Sequence, residues 1–264
     1  MFKIGTMNKG MGHLNFKEFI LFAKEVGVDG IQPFITSGGF SPLLTKSERK
    51  ELKEFMKEQG IELPAVCADF GSEFFDEPNS EASLHRLISM IDLAVDLGTN
   101  IVSTHIGAVP EDENDPLYAI KFDNFQKAAK YADDLGVYLA VETGRDTAEN
   151  LKKFLLKTGY KSATVNLDPA NLVMCIGVDP VEAVYTFGDL IVHTHMKDGI
   201  KTGETTYMET ALGEGGVDFP RYLKALQDIG YNGYLTIERG GGEDREFEVK
   251  KAFEFISKEL SKIQ

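Results

Sequence analysis

The sequence predicts one (β/α)8 TIM barrel, a single α/β domain over residues 1–264. Three observations carry that expectation. Short apolar runs alternate with longer amphipathic stretches from end to end, the pattern of a parallel sheet with helical crossovers. Eight such pairs occur with no shift of composition and no linker between them. The return from helix to strand is repeatedly marked by glycine, in EVGVDGI, EQGIEL, DLGTNIV, DLGVYL and DIGYNGYL, where a left-handed helix cap is favoured. A doubly wound open sheet is the alternative that the same alternation allows.

In chain order, strand Phe2–Met7 precedes a helical pattern at 16–26, Gly30–Phe34 precedes 45–59, and Leu63–Ala68 precedes 80–97. The third helix, EASLHRLISMIDLAVDLG, places Leu84, Leu87, Ile88, Ile91 and Val95 on one face and stops at Gly98. Ile101–Ile106 then leads to 117–135, Tyr138–Glu142 to 147–157, and Ala163–Asp168 to 179–187. Ile191–Lys197 leads to 219–229, and Gly233–Glu238 to 244–262.

The chain of 264 residues is 42% hydrophobic, ample for one core, and carries a net charge of −14. That charge argues against nucleic acid and anionic membranes as partners, because phosphate contacts need a basic surface. Two cysteines, Cys67 and Cys175, lie in apolar contexts without paired spacing, so no disulfide framework is expected and a reducing cytoplasm is the default. The opening MFKIGTM shows neither a signal peptide nor a membrane span.

Side chains alternate across a strand, and in such a barrel one face meets the helices while the other lines the interior. In YLAVE the apolar Leu139 and Val141 face the helices, leaving Glu142 inside; in TVNLD, Asn166 and Asp168 go inside. IVHTHMK sends His193, His195 and Lys197 inward, YLTIE sends Glu238, and IVSTH sends Ser103 and His105. The ionisable groups fall at the carboxyl ends of their strands, where barrel active sites sit. An interior built only for packing would carry branched apolar side chains, although any one histidine could simply bond a neighbour.

Glu142, Asp168, His195 and Glu238 form an oxygen-rich set that suits one divalent metal ion, with Mn2+ preferred and Mg2+, Co2+ or Zn2+ as alternatives. A cation would also compensate carboxylates that are costly to bury unpaired. His105 and Lys197 are candidates to bind substrate, as are Arg145 and Arg239 if the ligand is anionic; for each the plainer reading is a structural ion pair or hydrogen bond. His193, deeper in its strand, reads as support for His195. The glycine clusters GEGG at 213–216 and GGG at 240–242 could cradle a phosphate, but Glu214 and Glu243 beside them favour plain turns.

The ordered motifs VETG, NLDPANL, HTHMKD, LGEGGVDF and LTIERG resemble the xylose-isomerase-like superfamily of TIM barrels, most specifically from Glu142 to Arg239. That superfamily includes ketose and pentulose-5-phosphate 3-epimerases, inosose dehydratase and endonuclease IV. The resemblance implies that Glu142, Asp168, His195 and Glu238 bind one metal and that Glu142 and Glu238 also serve as acid and base. The run from HMKDG to LGEGGVDF is most similar to the pentulose-5-phosphate enzymes. Free-ketose epimerases carry a histidine where this chain has Asn171, and tend to carry an arginine where it has Lys201. Asn171 is accordingly expected at the substrate.

The implied activity is epimerisation or isomerisation of a keto-sugar or keto-sugar phosphate through a metal-stabilised cis-enediolate. An inosose-type dehydratase on the same site is the alternative. An endonuclease IV-like nuclease would need further histidine ligands, and the chain has five histidines in all. A non-enzymatic sugar-binding protein would not need the paired acid and base. A homo-oligomer is expected on the resemblance alone.

Overall fold

The computed structural model describes residues 2–36, 39–69 and 80–263. Its barrel strands are β1 (Lys3–Met7), β2 (Gly30–Gln32), β3 (Val66–Cys67), β4 (Ile101–Thr104), β5 (Tyr138–Glu142), β6 (Ala163–Leu167) and β7 (Ile191–Met196). A two-stranded antiparallel hairpin, β8 (Asp198–Lys201) and β9 (Tyr207–Thr210), intervenes before the last barrel strand, β10 (Tyr234–Ile237). The eight barrel strands pair in the order β2-β1-β10-β7-β6-β5-β4-β3, all parallel. Parallel bridges between Gly30 and Glu62 and between Phe34 and Cys67 join the two ends. The expected barrel is therefore present.

Among the described residues, eight helices of eight residues or more follow the strands: α1 (Phe16–Val26), α2 (Lys46–Gln59), α3 (Ser80–Leu97), α4 (Pro116–Asp134), α5 (Ala148–Lys157), α7 (Pro180–Phe187), α8 (Phe219–Asp228) and α9 (Arg245–Ile263). Their starts are written into the sequence. Asn15 and Thr45 close capping boxes with Glu18 and Glu48, and Asp115 and Asp179 cap helices that begin with proline. Gly27 ends α1 at φ 91°, a left-handed value that costs a glycine little.

Two strands are shorter than the sequence suggests. Regular pairing in β2 stops before Pro33, which has no N–H to give, and Pro64 likewise precedes the two-residue β3. The sequence reading also missed the β8–β9 hairpin and a short helix, α6 (Pro169–Asn171), that runs into a π-helical turn at Leu172–Ile176. Leu139, Val141, Val165, Leu167, Leu235 and Ile237 are buried in the apolar layer, as the alternation required. The complementary face is polar and points to the site.

Candidate active site

Ligand atoms of Glu142, Asp168, His195 and Glu238 lie within 4.8 Å of one another, and all four residues are buried. They come from the ends of β5, β6, β7 and β10. Asp168 Oδ2, His195 Nδ1 and Glu238 Oε2 are buried without a hydrogen-bond partner among the described residues. His195 Nδ1 is 2.8 Å from Glu238 Oε2, 3.5 Å from Glu142 Oε1 and 3.8 Å from Asp168 Oδ2. These three atoms converge on one another and none makes a well-formed hydrogen bond, although Lys197 Nζ lies 3.3 Å from Asp168 Oδ2. Orphaned buried acceptors are costly, and a cation at their centre removes the cost. Three carboxylates and one imidazole fit a divalent ion of oxygen-preferring type.

Local structure holds each group. Asp168 divides its carboxylate: Oδ1 accepts the Asn171 N–H at 3.0 Å, capping α6 ahead of Pro169, and Oδ2 is left facing the cluster. Its backbone is pinned to Thr143, whose hydroxyl donates to Asp168 O at 2.9 Å and accepts from Asp168 N at 2.8 Å. Gln32, fully buried on β2, donates Nε2–H to Ser103 Oγ at 2.8 Å, so its Oε1 faces the histidines. That oxygen accepts from His195 Nε2 at 2.9 Å and from His193 Nε2 at 3.0 Å. Both imidazoles thus carry a proton on Nε2, which leaves His195 Nδ1 facing the cluster. Burial would lower the His195 pKa, but Glu142 and Glu238 raise it well above the ordinary value, so Nδ1 becomes a free lone pair only when a bound cation displaces its proton.

The charges are arranged around the two glutamates. Burial alone would raise the Glu238 pKa, but Lys197 and His195 outweigh it and hold the carboxyl well below its usual range. Lys197 Nζ lies 3.2 Å from Glu238 Oε1, 3.3 Å from Asp168 Oδ2 and 3.1 Å from Asn171 Oδ1, and Lys9 also donates to Glu238 Oε1. Glu142 is lowered too, burial being offset by His105 and His195. Asn171 Nδ2 donates to Glu142 Oε1 at 3.0 Å, so Asn171 and Lys197 link the two glutamates. Burial would lower the His105 pKa, but Glu142 and Asp69 bring it up to about 9. Burial lowers His193 well below the ordinary histidine value, which keeps it neutral.

A cavity of about 360 Å³ opens onto the cluster, lined among others by Lys9, His105, Glu142, Arg145, Asn171, Lys197 and Glu238. A more voluminous groove beside α2, lined by Lys46, Arg49 and Lys53, contains none of these groups. His193 shares the Gln32 Oε1 acceptor with His195, and His105, Asn171, Lys197 and Arg145 line this cavity. Arg239 does not. Its guanidinium is buried between Glu209 on β9 and Glu248 on α9, and it is absent from the cavity wall among the described residues. The glycine clusters are not phosphate cradles either. Asp198 takes the N–H groups of Gly213, Gly215 and Val217, while Glu209 takes those of Gly240 and Gly241. Lys9, Gln32 and Asp69 were missed by the sequence reading; only Gln32, polar within an apolar strand, left a trace there.

A parallel barrel with its convergent ionisable groups gathered at one mouth has the architecture of an enzyme active site. The chain belongs to the xylose isomerase-like TIM barrel family, whose sequence profile matches residues 20–259. It is 28% identical, over 98% of its length and 97% of the relative's, to SgbU of Haemophilus influenzae, whose name as an L-ribulose-5-phosphate 3-epimerase is itself provisional. An inosose dehydratase of Geobacillus kaustophilus is 24% identical over 74% of this chain and 73% of its own. Among solved structures, a xylose isomerase domain protein of Planctomyces limnophilus superposes with a TM-score of 0.86 at 22% identity, covering 99% of this chain and 98% of that one. That superposition supports the fold.

Proposed function

We propose that this chain is a divalent-metal-dependent epimerase or isomerase of a keto-sugar or keto-sugar phosphate. Glu142, Asp168, His195 and Glu238 would hold the ion, and Glu142 and Glu238 would be the acid and base. The observation that carries the reading is the trio of orphaned atoms, Asp168 Oδ2, His195 Nδ1 and Glu238 Oε2, converging at the barrel mouth. A divalent cation bound there supplies Lewis acidity, stabilising charge on a carbonyl oxygen by several kcal/mol, with Mn2+ the favoured ion and Mg2+, Co2+ or Zn2+ able to fill the same donor set.

The chain's own residues do the proton work. Glu142 and Glu238 stand on β5 and β10, with β6 and β7 between them. They approach the substrate from different walls, so one removes the proton next to the carbonyl and the other returns one to the opposite face. Each transfer is worth roughly 10²–10⁴-fold. Lys9 and Lys197 keep Glu238 ionised and ready to accept a proton. Lys197, Asn171 and His105 orient hydroxyls of the sugar.

A screen of ketoses and ketose phosphates with Mn2+ in D2O tests this reading, since it reports which carbon exchanges even when net turnover is slow. Absence of exchange in every ketose, with stoichiometric metal bound, would refute it. The inosose dehydratase relative favours a second reading, in which the same carbanion expels a β-hydroxyl. Growth of a conjugated enone in the near ultraviolet would select it. No helix among the described residues is long and apolar enough to cross a membrane. We further infer a cytoplasmic homo-oligomer, checked by cell fractionation and by light scattering at micromolar concentration.

A further inference from the structure

Arg145 follows Glu142 by three residues in the β5–α5 connection, and its neighbours on both sides are fixed. Thr143 is locked to Asp168 in both directions. Asp146 accepts the Val109 N–H at 2.9 Å and the Asn150 side-chain amide at 3.4 Å. The backbone that carries Arg145 is thus anchored. Its side chain lines the cavity, yet among the described residues no carboxylate and no hydrogen-bond acceptor engages its guanidinium.

The residue is exposed, so its lack of a partner costs nothing in itself; what marks it is its place at the mouth of the cavity. The other cations near the mouth are taken. Lys9 and Lys197 bind Glu238, and Arg239 binds Glu209 and Glu248. The wall where barrels often take a phosphate, after the last two barrel strands, is closed to one, because Asp198 and Glu209 already occupy its amides.

We infer that the substrate carries an anionic group, a phosphate or a carboxylate at the end remote from its carbonyl, and that Arg145 selects it. The inference rests on the proposed keto-sugar reading and narrows it. It also sets the direction in which the sugar lies: its charged end points to the β5 wall and away from the glycine turns after β7 and β10. A planar guanidinium binds either anion through paired N–H groups, so both arms are tested.

The Mn2+-loaded protein is assayed by deuterium exchange on a neutral pentulose, its 5-phosphate and a ketose ending in a carboxylate. The anionic compounds should exceed the neutral one in kcat/KM, with the stronger of the two naming the source of the charge. Arg145→Gln should lower kcat/KM for the preferred anion about 10–100-fold more than for the neutral pentulose, mostly through KM. Equal losses on both, or a neutral ketose that matches the anionic ones, would overturn the inference. A second readout does not depend on turnover. Phenylglyoxal labelling of Arg145, located by peptide mass, should be suppressed by inorganic phosphate on the wild-type holoprotein. Labelling that phosphate leaves unchanged counts against the anion site even if the keto-sugar reading survives; suppressed labelling without any exchange supports the anion site and removes the keto-sugar reading.

Discussion

Gln32 has no atom at the substrate, yet replacing it should weaken metal binding. In Gln32→Met the side chain keeps its volume but offers no acceptor, so the Nε2–H groups of His193 and His195, 3.0 and 2.9 Å away, lose their shared oxygen. The site is fully buried, and water has no ready route to replace it. The His195 ring is then free to turn or to move its proton to Nδ1, where it would block the lone pair that faces the carboxylates. Loss of such an outer partner typically costs about 10–100-fold in metal affinity. That corresponds to about 1.4–2.8 kcal/mol. Titration of Mn2+ into the stripped protein, followed by calorimetry, measures it directly, with circular dichroism to establish that the barrel is intact. Gln32→Glu, which retains an acceptor, should bind more tightly than Gln32→Met. The reasoning fails if a folded Gln32→Met binds Mn2+ as tightly as the wild type while His195→Ala does not bind it.

Glu142→Gln and Glu238→Gln should each abolish net epimerisation, yet each should retain deuterium exchange from one substrate face. Starting from one epimer a single mutant exchanges, and from the other epimer the roles swap; two metal-bound mutants without that swap would disprove the two-base assignment. Saturation with Mn2+ at about 100 times its Kd should stabilise the fold by about 2.7 kcal/mol. A chain of this size should then melt about 5–10 °C higher, reversibly with chelator and not in His195→Ala. Asp198→Ala removes the acceptor of four backbone N–H groups, from Gly199, Gly213, Gly215 and Val217, and should cost roughly 3 kcal/mol or more. A fall in melting temperature of about 6–12 °C is expected in calorimetry, and a change under 2 °C would contradict it.

The barrel was legible because its strands state their two faces in a few letters. YLAVE, TVNLD, IVHTHMK and YLTIE each set apolar residues against polar ones at a period of two, and the capped amphipathic helices between them left little choice of topology. The four clustered side chains followed from that alternation. What stayed hidden depends on partners far away in the chain. Arg145 and Arg239 occupy similar positions after their strands, and only the fold shows that Glu209 reaches Arg239, 30 residues away, from a hairpin that the periodicity did not separate. The glycine clusters looked open for the same reason. Their occupants, Asp198 and Glu209, are ordinary acidic residues until the chain folds back on itself. Lys9 sits in a connection with no periodicity at all.

The barrel is held unevenly around its circumference. From β4 through β7 and on to β1 each strand shares a ladder of three or more residue pairs with the next, with one register shift between β6 and β7 at Val165/Asn166, whereas β2 and β3 meet only through the Gly30–Glu62 and Phe34–Cys67 bridges. Glu142, Asp168, His195 and Glu238 all stand on the laddered side. Phe34 and Asp69, which also line the cavity, stand beside the seam. Mutational drift can therefore reshape the seam-side wall, and with it the length or branching of the ligand that fits the cavity, while the cluster on the opposite wall keeps its place. Such a barrel can change customers without changing its trade.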